Sequence, residues 1–101
     1  MKLSVIIPVY NEVNTLATVL DAVRRVPLEK EIIVVDGNST DGTREVLECE
    51  ARKGDVIAIF QREKNGRGGA LREGLAIATG EVVVFQDADL ELDPACFPHL
   101  L

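Results

Sequence analysis

Four short runs rich in valine and isoleucine most constrain how this chain of 101 residues can fold. Each run is apolar at nearly every position, which is typical of strands that are covered on both faces in a parallel sheet. Alternating polar positions, the pattern of a half-exposed strand, are largely missing. We therefore predict strands at Leu3–Val9, Ile32–Val35, Val56–Phe60 and Val82–Phe85.

The three segments between these strands carry apolar residues at helical spacing. Asn14 or Thr15 is a plausible cap for the first helix, and Gly54 and Gly80 are predicted to end the second and third. The residues that mark the three helices are Leu16, Val19, Leu20 and Val23, then Val46, Leu47 and Ala51, then Leu71, Leu75 and Ala78. The order βαβαβαβ predicts an α/β fold with a parallel sheet and right-handed crossovers.

Length, charge and cysteine content narrow the function classes. One small domain is the most that 101 residues allow, and no helix and strand follow the fourth strand, so we expect part of a larger domain. A net charge of −6 argues against non-specific binding to nucleic acid or to an anionic membrane. Cys49 and Cys96 are interpreted as reduced thiols of a cytoplasmic protein. Pro8 interrupts the first apolar run, which argues against a signal peptide, and no stretch is long enough to span a membrane.

An acidic run follows the fourth apolar strand directly. Asp87, Asp89 and Glu91 alternate with other residues, so in an extended chain their carboxylates point to one side. Such a group repels itself unless a cation binds to it, and hard oxygen ligands suit Mg²⁺ or Mn²⁺. We predict metal and phosphate chemistry at this run.

Polar residues follow all four strands, and ligands of open α/β sheets bind at this edge. Carboxylates, an aromatic ring and arginines together suit a nucleotide that carries a diphosphate. Simpler roles remain open at this stage: Asp36 as a turn residue, Ser39, Thr40 and Asp41 as helix caps, and the basic residues as a solvated face. The segments concerned are Tyr10–Glu12, Asp36–Gly42, Gln61–Gly69 and Gln86–Asp89.

The glycine-rich segment Gly66–Leu71 suggests a dinucleotide-binding fingerprint, which we consider and reject. Leu71 stands where glycine or alanine belongs, and the segment follows the third strand rather than the first. The glycines are better explained by close approach of backbone to a phosphate or to the acidic strand.

Four motifs together resemble the inverting family 2 glycosyltransferases, and the branch that looks most similar is the dolichol-phosphate mannosyltransferase-like, polyprenyl-phosphate glycosyltransferase group. The motifs are Ser4–Glu12, Val34–Thr43, Gly66–Gly74 and Gln86–Glu91, in the expected order over nearly the whole chain. The resemblance implies a three-layer, Rossmann-like GT-A fold that is truncated after the fourth strand. Residues 1–101 would form the N-terminal, donor-nucleotide-binding part of the glycosyltransferase domain.

The resemblance also implies roles for individual residues. The implied pocket for the nucleotide-sugar donor consists of Pro8, Tyr10, Glu12, Val35, Asp36, Asp87, Ala88 and Asp89, with Arg67 and Arg72 at positions that are often basic. The implied ligands of Mg²⁺ or Mn²⁺ are Asp87, Asp89 and Glu91, and the first two would assist catalysis by stabilising the leaving diphosphate.

Two departures from the family pattern bear on specificity. Gly37 stands where many members carry a second acid, which leaves the contact to base or ribose unassigned, and Glu91 stands where the similar branch often has glutamine. The resemblance implies a UDP- or GDP-linked sugar donor and a sugar or polyprenyl-phosphate acceptor, with membrane contact only through other segments or a partner. A catalytic base is not identified in this chain. A nucleotide-sugar-binding module without turnover and a nucleotidyltransferase remain the alternatives.

Overall fold

The computed structural model describes residues 2–62 and 66–86, which form an α/β unit. Strands and helices alternate along the chain, as predicted. The elements are β1 (Leu3–Val9), α1 (Leu16–Arg24), β2 (Lys30–Asp36), α2 (Thr43–Ala51), β3 (Val56–Phe60), α3 (Gly66–Ile77) and β4 (Val82–Phe85).

The four strands form one sheet in the order β3-β2-β1-β4, and every neighbouring pair is parallel. In this register Ile6 of β1 lies between Ile33 of β2 and Phe85 of β4. The chain adds β2 and β3 on one side of β1 and then crosses to the other side for β4. Such a reversal of strand order marks the place where open α/β sheets bind ligands.

Helices cover both faces of the sheet, so the predicted three-layer arrangement is confirmed. Alternate residues of β1 face opposite layers, because side-chain direction in a strand has a period of two. Val5 and Ile7 pack with Leu16 and Leu20 of α1 in the larger core cluster, which also includes Leu47 of α2. The smaller cluster on the other face joins Ile6, Ile33, Val35 and Ala70 of α3.

The buried face of α3 agrees with the predicted one at Leu71 and Ala78, which pack against the smaller cluster, but not at Leu75. Leu75 was expected to mark that face, but it is 45% exposed, and Ala70 and Gly74 turn towards the sheet instead. A methyl group built on Gly74 would lie 2.6 Å from Ile6 Cγ2, so the helix sits too close to β1 for a larger residue. Helix α3 also begins earlier than predicted, within the glycine-rich segment at Gly66.

Within the part of the chain that the structure describes, no helix has the length and apolar character needed to cross a membrane.

Candidate nucleotide-binding edge

The carboxyl ends of the four parallel strands meet at one edge of the sheet, which we call the binding edge. Its described residues are those that follow each strand: Tyr10, Gly37, Gln61 and Gln86. Backbone hydrogen bonds continue the sheet to these positions, from Gly37 N to Val9 O (2.9 Å), from Gln61 N to Asp36 O (2.9 Å) and from Gln86 N to Ile6 O (3.0 Å). These bonds keep the first residue after β2, β3 and β4 aligned with the sheet.

Asp36, the last residue of β2, is fully buried at this edge. Its Oδ2 accepts hydrogen bonds from the backbone N–H groups of Asn38 and Ser39, each at 3.0 Å. Its Oδ1 is also buried but has no hydrogen-bond partner among residues 2–62 and 66–86. Because an unpaired buried oxygen is costly, Oδ1 is an acceptor that a bound ligand would satisfy.

Arg44 compensates the charge of Asp36 and was missed in the sequence. Its Nε lies 3.5 Å from Asp36 Oδ2, and Nη1 donates to Asn38 Oδ1 (2.8 Å) and to Gln61 O (3.3 Å). Its guanidinium carbon lies 5.0 Å from the centre of the Phe60 ring. The position of Arg44 in the first turn of α2 could have indicated an acidic partner, because a cation there is unfavourable with respect to the helix dipole.

Side-chain-to-backbone hydrogen bonds connect the loop after β1 with the loop after β2 and the start of α2. Ser39 Oγ accepts from Asn11 N (2.9 Å), Asn11 Oδ1 accepts from Thr40 N (2.8 Å), and Thr43 Oγ1 accepts from Glu12 N (2.9 Å). This interlock fixes the loop after β1 against the loop after β2. The first loop carries Tyr10 and Glu12 of the predicted donor pocket, and the second directly follows Asp36.

The predicted capping roles in this second loop are only partly right. The N-cap position of α2 is Gly42, with a positive φ of 102° and no side-chain cap. Asp41 lies one residue earlier, where Oδ1 accepts from Thr43 N at 3.0 Å. Hydrogen bonds from Thr43 hold the pKa of Asp41 below its usual value. Ser39 and Thr40 bind Asn11 instead of capping the helix.

Four further predicted pocket residues lie at, beside or beneath the binding edge. Tyr10 is 39% exposed. Pro8 is partly exposed on β1 opposite Val35, which is fully buried in the core and lies beneath the edge. Glu12 accepts from the Thr15 hydroxyl (3.2 Å), so it also supports the start of α1.

Gln61 is a further residue of the edge that the sequence did not single out. It is 4% exposed, and both Oε1 and Nε2 lack a hydrogen-bond partner within the described residues. A methyl group built on Gly37 would lie 3.6 Å from Gln61 Oε1 and 3.7 Å from Tyr10 Cδ1. Gly37 therefore leaves a gap between the amide of Gln61 and the ring of Tyr10.

The predicted basic and acidic residues are only partly within the described structure. Arg72 is exposed on α3, where it lines an open depression with Gly69, Glu73 and Ala76. Arg67 belongs to the first turn of α3, but its side chain lies outside what the structure describes. The same holds for the whole of Asp87, Ala88, Asp89 and Glu91.

Donor chemistry and position in the chain bear on the predicted metal site. Among the described residues no group of three histidine, cysteine or acidic residues could hold a metal ion. The three predicted carboxylates supply the hard oxygen donors that Mg²⁺ and Mn²⁺ prefer. Asp87 directly follows Gln86, which is anchored at the binding edge. The donor set thus fits such an ion.

Comparison with known proteins decides the family. A sequence model of the family described as "Glycosyl transferase family 2" matches residues 4–101. The chain belongs to glycosyl transferase family 2. Among its relatives, an undecaprenyl-phosphate 4-deoxy-4-formamido-L-arabinose transferase of Proteus mirabilis is 37% identical over 106 aligned positions, covering 99% of this chain and 32% of the relative.

Solved structures of this kind confirm the fold and include nucleotide-sugar complexes. The mannosyltransferase PcManGT of Pyrobaculum calidifontis, in complex with GDP-Man and Mn²⁺, superimposes with a TM-score of 0.80 at 34% identity, covering 86% of this chain and 27% of that one. TarS of S. aureus, in complex with UDP-GlcNAc, gives a TM-score of 0.79 at 32% identity, covering 88% and 27%. This family 2 chain spans between 25% and 33% of the length of the curated relatives compared with it.

Proposed function

We propose that residues 1–101 are the N-terminal donor-binding part of a glycosyltransferase that uses a UDP- or GDP-linked sugar. The observation that carries this proposal is Asp36, a buried carboxylate with one unpaired oxygen at the edge where β1, β2 and β4 end. Membership of family 2 and the two nucleotide-sugar complexes support it.

In this proposal the binding edge holds the nucleoside. The Asp36 oxygen accepts a hydrogen bond from a ring N–H of the base, which uracil and guanine both present. Tyr10 offers an exposed ring beside this point, and Pro8 and Glu12 complete the side of the pocket formed by the loop after β1. The interlocked loops keep these groups in place before the donor binds, so less conformational entropy is lost on binding.

The diphosphate is proposed to lie towards α3 and the acidic run. Arg67 and Arg72 supply positive charge from α3, and Asp87, Asp89 and Glu91 would hold Mg²⁺ or Mn²⁺ there. Such an ion, when bound, neutralises the charge that develops on the leaving nucleoside diphosphate. The Mn²⁺ in the mannosyltransferase complex supports this assignment.

For the acceptor we propose a polyprenyl phosphate at the cytoplasmic face of a membrane. The name of the Proteus relative supports this class of acceptor. A phosphate oxygen is already anionic, so its attack does not require a general base in the way that a sugar hydroxyl does. The proposal is therefore compatible with the failure to identify a catalytic base in this chain.

Removal of one proposed metal ligand tests the donor site. We expect Asp89→Ala to weaken Mn²⁺-dependent binding of UDP- or GDP-sugars at least about tenfold, because a charge-assisted contact is lost. The melting temperature should change little, since the residue follows a strand end. Isothermal titration calorimetry with and without Mn²⁺ measures the first effect, and thermal unfolding measures the second.

Asp21→Asn is the matched control, because Asp21 is an exposed acid on α1 that pairs with Arg24 away from the edge. It should bind the donor as the unchanged protein does. Unaltered donor affinity in Asp89→Ala, or failure of the unchanged protein to bind any nucleotide sugar, would contradict the proposal.

A further inference from the structure

The amide of Gln61 is buried at the binding edge without the hydrogen bonds that a buried amide normally makes. Only 4% of the residue is exposed, and neither Oε1 nor Nε2 finds a partner among residues 2–62 and 66–86. Leaving both groups unpaired opposes folding, whereas an apolar side chain of similar size would carry no such cost. Packing alone therefore does not account for an amide at this position.

Gln61 lies beside the end of β2, close to Gly37 and to the ring of Tyr10. Its backbone N–H donates to the Asp36 carbonyl (2.9 Å), which fixes the residue beside the end of β2. Its Oε1 lies across the gap above Gly37 from the edge of the Tyr10 ring. The space beside Gly37 is thus close to both an aromatic ring and the oxygen of an amide that has no hydrogen-bond partner among the described residues. A flat, polar ring suits such a gap.

We propose that Gln61 is a specificity-determining residue that hydrogen-bonds the base of the nucleotide donor. This inference rests on the proposed function. Gly37 stands where many family members carry a second acid, so the contact to the base is unassigned, and we assign that contact to Gln61. The ligand class is a base in which a ring N–H adjoins a carbonyl group, as in uracil and guanine. Gln61 Nε2 donates to the carbonyl oxygen that adjoins the ring N–H, and the ring N–H itself is donated to Asp36 Oδ1.

Asp36 reinforces this selection because an ionised carboxylate can only accept hydrogen bonds. Cytosine and adenine present an unprotonated ring nitrogen where uracil and guanine present the N–H, so the lone pair would face the carboxylate. Asp36 thus rejects two of the four bases, and Gln61 adds affinity for the carbonyl of the other two. Together the two side chains select a base that presents a ring N–H next to a carbonyl group.

Two substitutions test the role of Gln61 without altering the proposed metal site. Gln61→Leu removes both polar groups at nearly constant size. Gly37→Ala adds a methyl group at ordinary contact distances, 3.4 Å from Val9 O and 3.6 Å from Gln61 Oε1, and its backbone lies outside the left-handed region. The second variant should therefore fold normally while it narrows the gap.

The experiment titrates the purified proteins with UDP, GDP, CDP, ADP and base-free pyrophosphate in the presence of Mn²⁺. The unchanged protein should prefer UDP or GDP to CDP and ADP. In Gln61→Leu and in Gly37→Ala, affinity for the preferred nucleotide should fall about tenfold, as expected for the loss of a hydrogen bond in a dry site. Pyrophosphate affinity should stay within about twofold. The melting temperature of Gln61→Leu should equal or exceed that of the unchanged protein.

Three results would overturn the inference: an unchanged preference among bases in Gln61→Leu, an equal loss of pyrophosphate affinity, or a clear fall in its melting temperature. The last would show that the amide serves the fold. These outcomes differ from failure of the proposed function, in which the unchanged protein binds none of the four nucleotides better than pyrophosphate.

Discussion

At the scale of single residues, Asp36 has two oxygens with different tasks. Oδ2 organises the protein through Asn38, Ser39 and Arg44, whereas Oδ1 has no hydrogen-bond partner within residues 2–62 and 66–86 and is the proposed acceptor for a ligand. Asp36→Asn keeps the shape but removes the charge, so we expect nucleotide affinity to fall about 10- to 100-fold, the range for a hydrogen bond to a charged group. Calorimetric titration of the protein with UDP and GDP in the presence of Mn²⁺ measures this loss.

The matched control for Asp36→Asn is Asp55→Asn, which removes a charge from a half-exposed carboxylate paired with Arg24. The control should leave nucleotide affinity within about twofold. Equal affinities in Asp36→Asn and the unchanged protein would contradict a direct contact between Asp36 and the base.

Arg44 is expected to act on the fold through Asp36. Arg44→Met leaves the buried carboxylate without its cation, and we expect a loss of about 2 kcal/mol in the free energy of unfolding. In an Asp36→Asn background the same change should cost less, because no buried charge remains to be compensated. Urea denaturation of the four proteins of this double-mutant cycle measures the difference.

Arg52→Met, at the other end of α2 and exposed, controls for the loss of a surface cation and should stay within about 0.5 kcal/mol of the unchanged protein. Strictly additive costs for Arg44→Met and Asp36→Asn would show that the two side chains do not depend on each other.

At the residue scale, the sequence predicted the position of Asp36 at the sheet edge but did not single out Arg44 or the side chain of Gln61. Asp36 is the first acid after the apolar run Ile32–Val35, so its position follows from the apolar pattern alone. Arg44 and Gln61 meet it only because β3 lies beside β2 and because the loop after β2 returns α2 over the same edge. Strand order and loop path are long-range properties that local patterns do not encode.

At the scale of elements, the predicted strands were reliable because burial on both faces leaves a continuous apolar run. Strand β1 was predicted at its exact bounds, and β2 extends two residues earlier and one later than predicted. The buried face of α3 was only partly predicted: Leu71 and Ala78 pack against the sheet, but Leu75 is exposed. The small residues Ala70 and Gly74 also contact the sheet, and a pattern weighted by large apolar residues misses them.

Because α3 packs closely on β1, we expect that Gly74 cannot be replaced by a larger residue without loss of stability. Alanine favours a helix over glycine by about 1 kcal/mol, but a methyl group here would lie 2.6 Å from Ile6 Cγ2. We expect the clash to dominate and Gly74→Ala to lower the free energy of unfolding by about 1–3 kcal/mol. Chemical denaturation of Gly74→Ala and of the unchanged protein measures this difference in the free energy of unfolding.

Gly68→Ala in the same helix is the control, because the nearest atom to its added methyl group is Arg72 Nη1 at 3.7 Å. This variant should be stabilised by up to about 1 kcal/mol through helix propensity alone. If Gly74→Ala were stabilised to the same degree, α3 would not pack on β1 as closely as the structure shows.

At the scale of the whole molecule, the partly buried Glu31 and the buried Glu50 connect elements that are distant in sequence. Glu31 of β2 accepts hydrogen bonds from Ser4 of β1 and from the backbone and hydroxyl of Thr79, which precedes β4. Glu50 of α2 pairs with Arg24 of α1 at 2.7 Å. These contacts bind the sheet at the end opposite the binding edge and join the two helices of one layer.

Both glutamates should make the stability of the protein depend on pH. Burial disfavours the ionised form of each, but hydrogen bonds from Ser4 and Thr79 to Glu31, and from Arg24 and Lys53 to Glu50, outweigh it, so both pKa values lie below the ordinary 4.5. A folded-state pKa that is depressed gives stability above the unfolded value, and this stability is lost as the pH falls through the folded value. We therefore expect the free energy of unfolding to decline below about pH 4.5.

Urea denaturation between about pH 3 and pH 7 measures this decline. Glu31→Gln and Glu50→Gln should be less stable than the unchanged protein near neutral pH and should lose less stability on acidification, because glutamine takes up no proton. Glu48→Gln, an exposed position on α2, makes the same change in net charge and should follow the curve of the unchanged protein. Parallel curves for all four proteins would mean that acid acts through net charge alone. Convergence of Glu31→Gln and Glu50→Gln with the unchanged protein at low pH would identify these two carboxylates as the groups whose protonation loosens the sheet and the helical layer.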